Sequence, residues 1–210
     1  MKPFLKTIRS IGLTIAVLLM TTAAHAHTGD GPHSGWLHGF FHPLSGLDHL
    51  LAMIAVGIWS VQMTVHSAVH TNTRAMWLMP AIFVMVMGLG GVLGFIALAL
   101  PFDFAEHGIA LSLLVSGFLI ARTVQLPFPV SASLIALFAV CHGYAHGSEM
   151  PDGAAVFEYA AGFMLATALL HVTGIGLAQI AYHVQRDRWL RYVGVAVALS
   201  GGAMLVGGAG

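Results

Sequence analysis

Six apolar stretches, at about 44–64, 75–99, 107–122, 127–146, 153–182 and 189–208, leave this chain few ways to fold. Each is close to the roughly 20 residues that a helix needs to cross the hydrocarbon of a bilayer. Backbone polar groups in lipid must be satisfied within the segment, and no strict two-residue alternation is present, so helices are expected rather than a barrel. Charged residues make up only 8% of the chain and hydrophobic residues 58%, which excludes an ordinary soluble domain. The 210 residues hold one membrane domain and no second folded domain. The formal net charge is zero and no basic run or basic aromatic face occurs, so nucleic acid is excluded as a partner. No P-loop is present, which argues against ATP. The partner expected from these features is the lipid bilayer, with a homo-oligomer left open.

The N-terminus reads as a secretory signal. Lys2, Lys6 and Arg9 precede an apolar stretch from Ile11 to Met20, followed by small residues and Ala24-His25-Ala26, an A-x-A cleavage pattern. The domain reading is therefore a signal peptide over 1–26, a histidine-rich periplasmic tail over 27–43 and a six-helix membrane domain over 44–210. A retained first helix is the alternative. Either way residue 27 lies outside the cytoplasm, and Arg74, Arg122, Arg186, Arg188 and Arg191 then fall in inside loops, as the positive-inside rule requires. Asp30, Asp103, Glu106, Glu149 and Asp152 fall outside, where their field concentrates cations. The single cysteine, Cys141, cannot form an intramolecular disulfide.

Against this apolar background two histidine-acid clusters stand out. Ionisable side chains in a bilayer are costly and mark ion pathways, relays or cofactor sites. In the first cluster, Pro43 suits the first turn of a helix, so the first span is expected to begin there, with His42 and His49 two turns apart on one face and Asp48 one residue round. Asp48 would either ligate a borderline divalent ion or orient an imidazole. The competing structural explanation is a helix cap and a buried Asp-His hydrogen bond. In the second cluster His142, His146 and Glu149 follow an i, i+4, i+7 pattern, one stripe of ligand-type side chains if the helix continues that far. Gly143 and Gly147 lower helix propensity and are expected to loosen this end.

Weaker candidates surround these. Glu158, near the outer start of the fifth span, either completes the site or simply faces water. His171, deeper in that span, is an onward ligand or a histidine hydrogen-bonded to a neighbour. Glu106 and His107 open the third span, where an acid is also an ordinary helix-start residue. His27, Asp30, His33 and His38 make the outer tail a capture device or a plain polar leader. His66 and His70 sit at the inner end of the first span without a carboxylate. Gly88, Gly90, Gly91 and Gly94 form a small-residue face for close helix approach. Met76, Met79, Met85 and Met87 are read as packing rather than as a soft-metal ladder, because the four do not share one stripe.

The two clusters carry a resemblance. The segment FHPLSGLDHLLAM, with His42, Asp48 and His49 in an H-x5-D-H pattern, and the HGxxHGxE pattern of His142, Gly143, His146, Gly147 and Glu149 resemble the hydrogenase/urease accessory family of small nickel permeases, HupE/UreJ. The likeness covers the whole chain, with Cys141 standing where a phenylalanine commonly precedes the His-Gly. It implies a bacterial inner-membrane permease importing Ni²⁺, with Co²⁺ as the other candidate, for hydrogenase or urease maturation. It also implies no tightly bound cofactor and no catalysis. His42, Asp48, His49, His142, His146 and Glu149 would form the metal path, with Glu158, His27, His38, Cys141 and His171 as further ligands and both mature termini periplasmic. The alternative is an intramembrane zinc hydrolase using Ser45, Asp48, His49, His142 and His146. The orientation is checked by fusions: reporters near residues 70 and 187 should read cytoplasm, and those near 104 and 150 periplasm. The reverse pattern would remove the clusters from the outer face.

Overall fold

The computed structural model describes residues 35–65, 73–96, 102–150 and 155–207. The expected signal peptide over 1–26, His27, Asp30, His33, His66 and His70 lie outside the described residues. Within them the chain is helical: α1 (Trp36–Ser45), α2 (Leu47–Val65), α3 (Thr73–Phe95), α4 (Phe102–Arg122), α5 (Phe128–Ser148), α6 (Val156–His183) and α7 (Arg188–Gly207). Six of these, α2 to α7, are long and apolar enough to cross a membrane. They match the six stretches expected from hydropathy to within about five residues at each end.

The departure lies at the start. Residues 36–45, expected to belong mostly to a polar tail, form a helix of their own, with Pro43 inside it rather than opening the first span. Its outward side chains Trp36, Leu37, Phe41 and Leu44 are exposed, an apolar face that suits lipid. The helix ends because Gly46 turns extended (φ −91°, ψ 119°), and Ser45 Oγ donates to the His42 carbonyl at 2.7 Å in its last turn. His42 and His49 are thus on different helices and not two turns apart on one face. Composition could not show this, because seven residues of α1 are apolar or glycine and read equally well as an extension of α2.

Helix α2 occupies the centre and packs on α3, α4 and α6, while α3 pairs with α5, α4 with α7 and α1 with α6. Without a hydrophobic force between helices in lipid, close approach depends on small residues. The α3–α5 pair shows this most clearly. A Cβ on Gly143 would collide with the Met87 carbonyl, one on Gly147 with the Gly91 carbonyl, and one on Gly94 with the Tyr144 carbonyl. The two motif glycines therefore do not loosen α5, which stays helical through Ser148. They are the surface on which α3 rests. Gly57 against Gly174 joins α2 to α6 in the same way, and Gly117 against Gly194 joins α4 to α7.

Helix α1 runs antiparallel to the outer part of α6, since Gly39 abuts Tyr159 and Gly162 abuts Trp36. Large apolar side chains such as Met85, Leu89, Phe118, Ile180 and Leu199 remain exposed on the outside of the bundle, an arrangement suited to lipid rather than water. One end of the bundle carries Arg122, Arg186, Arg188 and Arg191, and the other carries Glu149 and Glu158.

The crossing predicts a contrast in stability. Gly143→Val meets backbone, which cannot move aside, and should cost about 3 kcal/mol or more, with loss of folded protein from the membrane. Gly176→Ala meets nothing within 4 Å and should leave the thermal unfolding temperature in detergent unchanged or slightly raised. Equal behaviour of the two variants would contradict the packing account.

Candidate metal site

Because Gly143 and Gly147 press on α3, the residues immediately before them, His142 and His146, are turned about 100° round the helix and into the bundle. Both are buried, at 0% and 3% exposure. From the other side α1 brings His42, whose Nε2 lies 2.9 Å from His146 Nδ1 across 104 residues of sequence. Glu149, at the C-cap of α5, places Oε2 at 3.9 Å from the same His42 nitrogen. Ligand atoms of His42, His146 and Glu149 all lie within 4.8 Å of one another. A first-row ion bound at about 2.1 Å holds neighbouring ligands roughly 3 Å apart, so small side-chain rotations suffice to close the group.

Behind this triad the imidazoles continue. The His49 ring is 4.2 Å from that of His146 and 5.3 Å from that of His142, centroid to centroid. The Asp48 carboxylate accepts from His49 Nδ1 at 2.9 Å. Gly46 makes room for this pair, since a Cβ there would stand 2.8 Å from Asp48 Oδ1 and 2.9 Å from His49 Nδ1.

Partner chemistry settles which nitrogen of His49 and of His142 carries a lone pair. A carboxylate only accepts, so His49 is protonated on Nδ1 and its Nε2 carries the lone pair. Ser112 Oγ gives its one hydrogen to the Ile109 carbonyl at 2.7 Å and must accept from His142 Nε2 at 3.1 Å, which leaves the lone pair on His142 Nδ1. His49 Nε2, His142 Nδ1 and His146 Nε2 are all buried with no hydrogen-bond partner among the described residues. Each such atom costs about 1–3 kcal/mol in a purely structural role. Clustered imidazoles whose other nitrogens are held by a carboxylate or hydroxyl are the pattern of metal ligands with supporting partners.

The remaining candidates are placed as follows. His38 sits one turn before His42, with ring centroids 6.3 Å apart, against Tyr159. Glu158 is exposed beside Gly35 at the N-terminus of α1, where a negative charge is favoured. Cys141 is buried and its Sγ faces Gly108 of α4. Glu106 is partly buried near the start of α4 and, with Asp48 and Glu149, acts electrostatically on His49. His171 lies deeper, on α6. Sequence reading missed Ser112, although a serine pair one turn apart, Ser112 and Ser116, within an apolar span was a signal for it. It also missed Phe163, whose ring lies tilted against His146 with centroids 4.3 Å apart and forms an apolar wall of the site.

A family model described as HupE / UreJ protein matches residues 15–204 of the chain. Protein HupE of Rhizobium leguminosarum bv. viciae is 43% identical over 198 residues, covering 94% of this chain and 97% of that protein. No solved structure matches.

The supporting partners give a graded test. Asp48→Ala and Ser112→Ala remove groups that orient an imidazole without removing the imidazole, and each should weaken binding of Ni²⁺ or Co²⁺ to detergent-purified protein about 10- to 100-fold. Ser112→Thr keeps the hydroxyl and should bind as the unaltered protein does. Titration calorimetry reads both, and equal affinity across all variants would leave the buried nitrogens without a metal role.

Proposed function

The chain belongs to the HupE/UreJ family, and from that premise we propose that it is an inner-membrane permease for Ni²⁺, with Co²⁺ as an alternative cargo, supplying hydrogenase or urease maturation. The observation that carries this reading is the convergence of His42, His146 and Glu149 at one end of the bundle, backed by the buried nitrogens of His49 and His142. Imidazole with a carboxylate suits borderline divalent ions and suits Mg²⁺ or Ca²⁺ poorly.

In this reading the end bearing Glu149 and Glu158 faces the periplasm and the arginine-bearing end faces the cytoplasm. The carboxylates draw the hydrated ion in, and His38, with His27 of the tail, raises its local concentration. At His42, His146 and Glu149 part of the hydration shell is exchanged for protein ligands. His42 and His146 share one proton across their 2.9 Å contact, so ligation by both facing atoms requires that proton to move to the far nitrogen of its own ring. Asp48 acts through His49, holding its Nε2 toward the ion. Cys141, turned to α4, contributes packing in this scheme.

A membrane potential of about 100 mV, inside negative, favours uptake of a divalent ion by roughly 4–5 kcal/mol, since each charge contributes about 2.3 kcal/mol. Facilitated diffusion is then sufficient, provided the ligands bind weakly enough to release. The zinc-hydrolase alternative is less well supported. Ser45, its hydroxyl candidate, is exposed and gives its hydrogen to the His42 carbonyl.

Radiolabelled nickel uptake into cells lacking their own nickel transporters tests the proposal. His42→Ala, Asp48→Ala, His146→Ala and Glu149→Ala should each abolish most uptake while the protein still reaches the membrane. Uptake that merely tracks expression level would restore the structural explanation of these residues, and tightly retained stoichiometric zinc would favour the hydrolase.

A further inference from the structure

One buried histidine lies apart from the cluster. His171 is wholly buried at the middle of α6, and its Nδ1 donates to the Met53 carbonyl of α2 at 2.7 Å. A carbonyl only accepts, so the lone pair is on Nε2, which has no partner among the described residues. The crossing of Gly57 on Gly174 is what brings this part of α6 onto the α2 backbone.

Between His171 and the outer cluster stands a single ring. Phe83 of α3 is 1% exposed, 5.0 Å from His171 and 5.5 Å from His142, centroid to centroid. Phe83 belongs to a buried stripe of α3 that also holds Met76, Met79 and Met87, whereas Met85 is turned out at 67% exposure. Helices α3 and α6 run past each other in register: Thr167 Oγ1 contacts Met87 Sδ at 3.9 Å, Phe83 meets His171, and Gln179 Nε2 contacts Met76 Sδ at 3.4 Å. Met79 and Met76 thus follow Phe83 on the buried stripe toward the arginine-bearing end, whereas Met87 lies on the cluster side of the His171 level.

We propose that His171 Nε2 is an inner station for the same divalent ion, separated from the outer cluster by Phe83 and followed inward by the thioethers of α3. The proposal rests on the permease reading and deepens it by giving the ion its second stop. An imidazole with thioether neighbours and no carboxylate holds a borderline ion weakly and rejects Mg²⁺ and Ca²⁺, the property an exit station needs.

The informative variant is His171→Asn. An asparagine amide occupies the position of Nδ1 and keeps the bond to the Met53 carbonyl, but carries nothing at Nε2. Nickel uptake into cells lacking their own nickel transporters, and nickel bound per purified full-length chain, are measured for it and for the unaltered protein. The expected result is a maximal uptake rate lowered at least about tenfold, with unchanged half-saturation and retained binding at the outer group. Full uptake by His171→Asn overturns the station and leaves His171 as a tie between α6 and α2. If that variant does not accumulate, a protein with His42, His49, His142 and His146 all changed to alanine decides through its stoichiometry: one nickel per chain at millimolar nickel supports the inner station and none overturns it. Absence of uptake by the unaltered protein is a separate result, which sinks the permease reading itself.

Discussion

The backbone contact between α3 and α5 sets the direction of nearly everything else in the outer half of the bundle. Each of the two motif histidines is followed by a glycine, and the glycines lie against carbonyls of α3 with no room for a Cβ. A helix pinned on that face has no rotational freedom left, so His142 and His146 point away from the α3 glycines and toward α1, α2, α4 and α6. A side chain at either glycine would both separate the helices and swing the imidazoles away from His42 and His49. The histidine-glycine alternation is therefore one device, in which the small residue supplies the packing and the residue before it supplies the chemistry.

Apolar surroundings make the electrostatics of this site depend on hydrogen bonds rather than on solvent. Asp48, Ser112 and the Met53 carbonyl each take one N–H from a buried imidazole, which leaves a lone pair on the opposite nitrogen. Burying such lone pairs without a partner is unfavourable, and in the proposed function a passing divalent ion would relieve that cost without needing a deep well. In the proposed transport scheme this balance matters more than affinity, because an ion held by many anionic ligands in a low-dielectric bundle would not leave. The carboxylates are accordingly at the mouth or one bond removed: Glu149 is partly solvated, and Asp48 is engaged with His49.

Much of the architecture was legible in the amino-acid order. Hydropathy determined six spans, because lipid allows an apolar segment of that length almost no alternative to a helix. The spacing of His142, His146 and Glu149 determined that they share a stripe, since a helix places i, i+4 and i+7 together regardless of its neighbours. The glycine-rich face of α3 was legible as a packing surface for the same reason. What the local pattern could not contain was the break at Gly46. Residues 42–49 are a polar dip with a Ser45-Gly46 turn signal, but nothing local distinguishes a break between two helices from the edge of a polar tail before the first span.

Only the tertiary structure joined the two clusters into one group, because the contact of His42 with His146 spans 104 residues and depends on α1 lying antiparallel on α6. It also decided between the roles open to Asp48, by placing its carboxylate on His49 Nδ1. The same holds for the methionines. Their spacing alone excluded a single stripe of four, whereas burial separated Met85, facing outward, from Met76, Met79 and Met87, buried on one stripe with Phe83. Periodicity determines which residues of one helix move together, but which face of that helix meets which neighbour is a property of the assembled bundle. In this chain that choice was made by glycines whose lack of a side chain carries no direction until the partner backbone is in place.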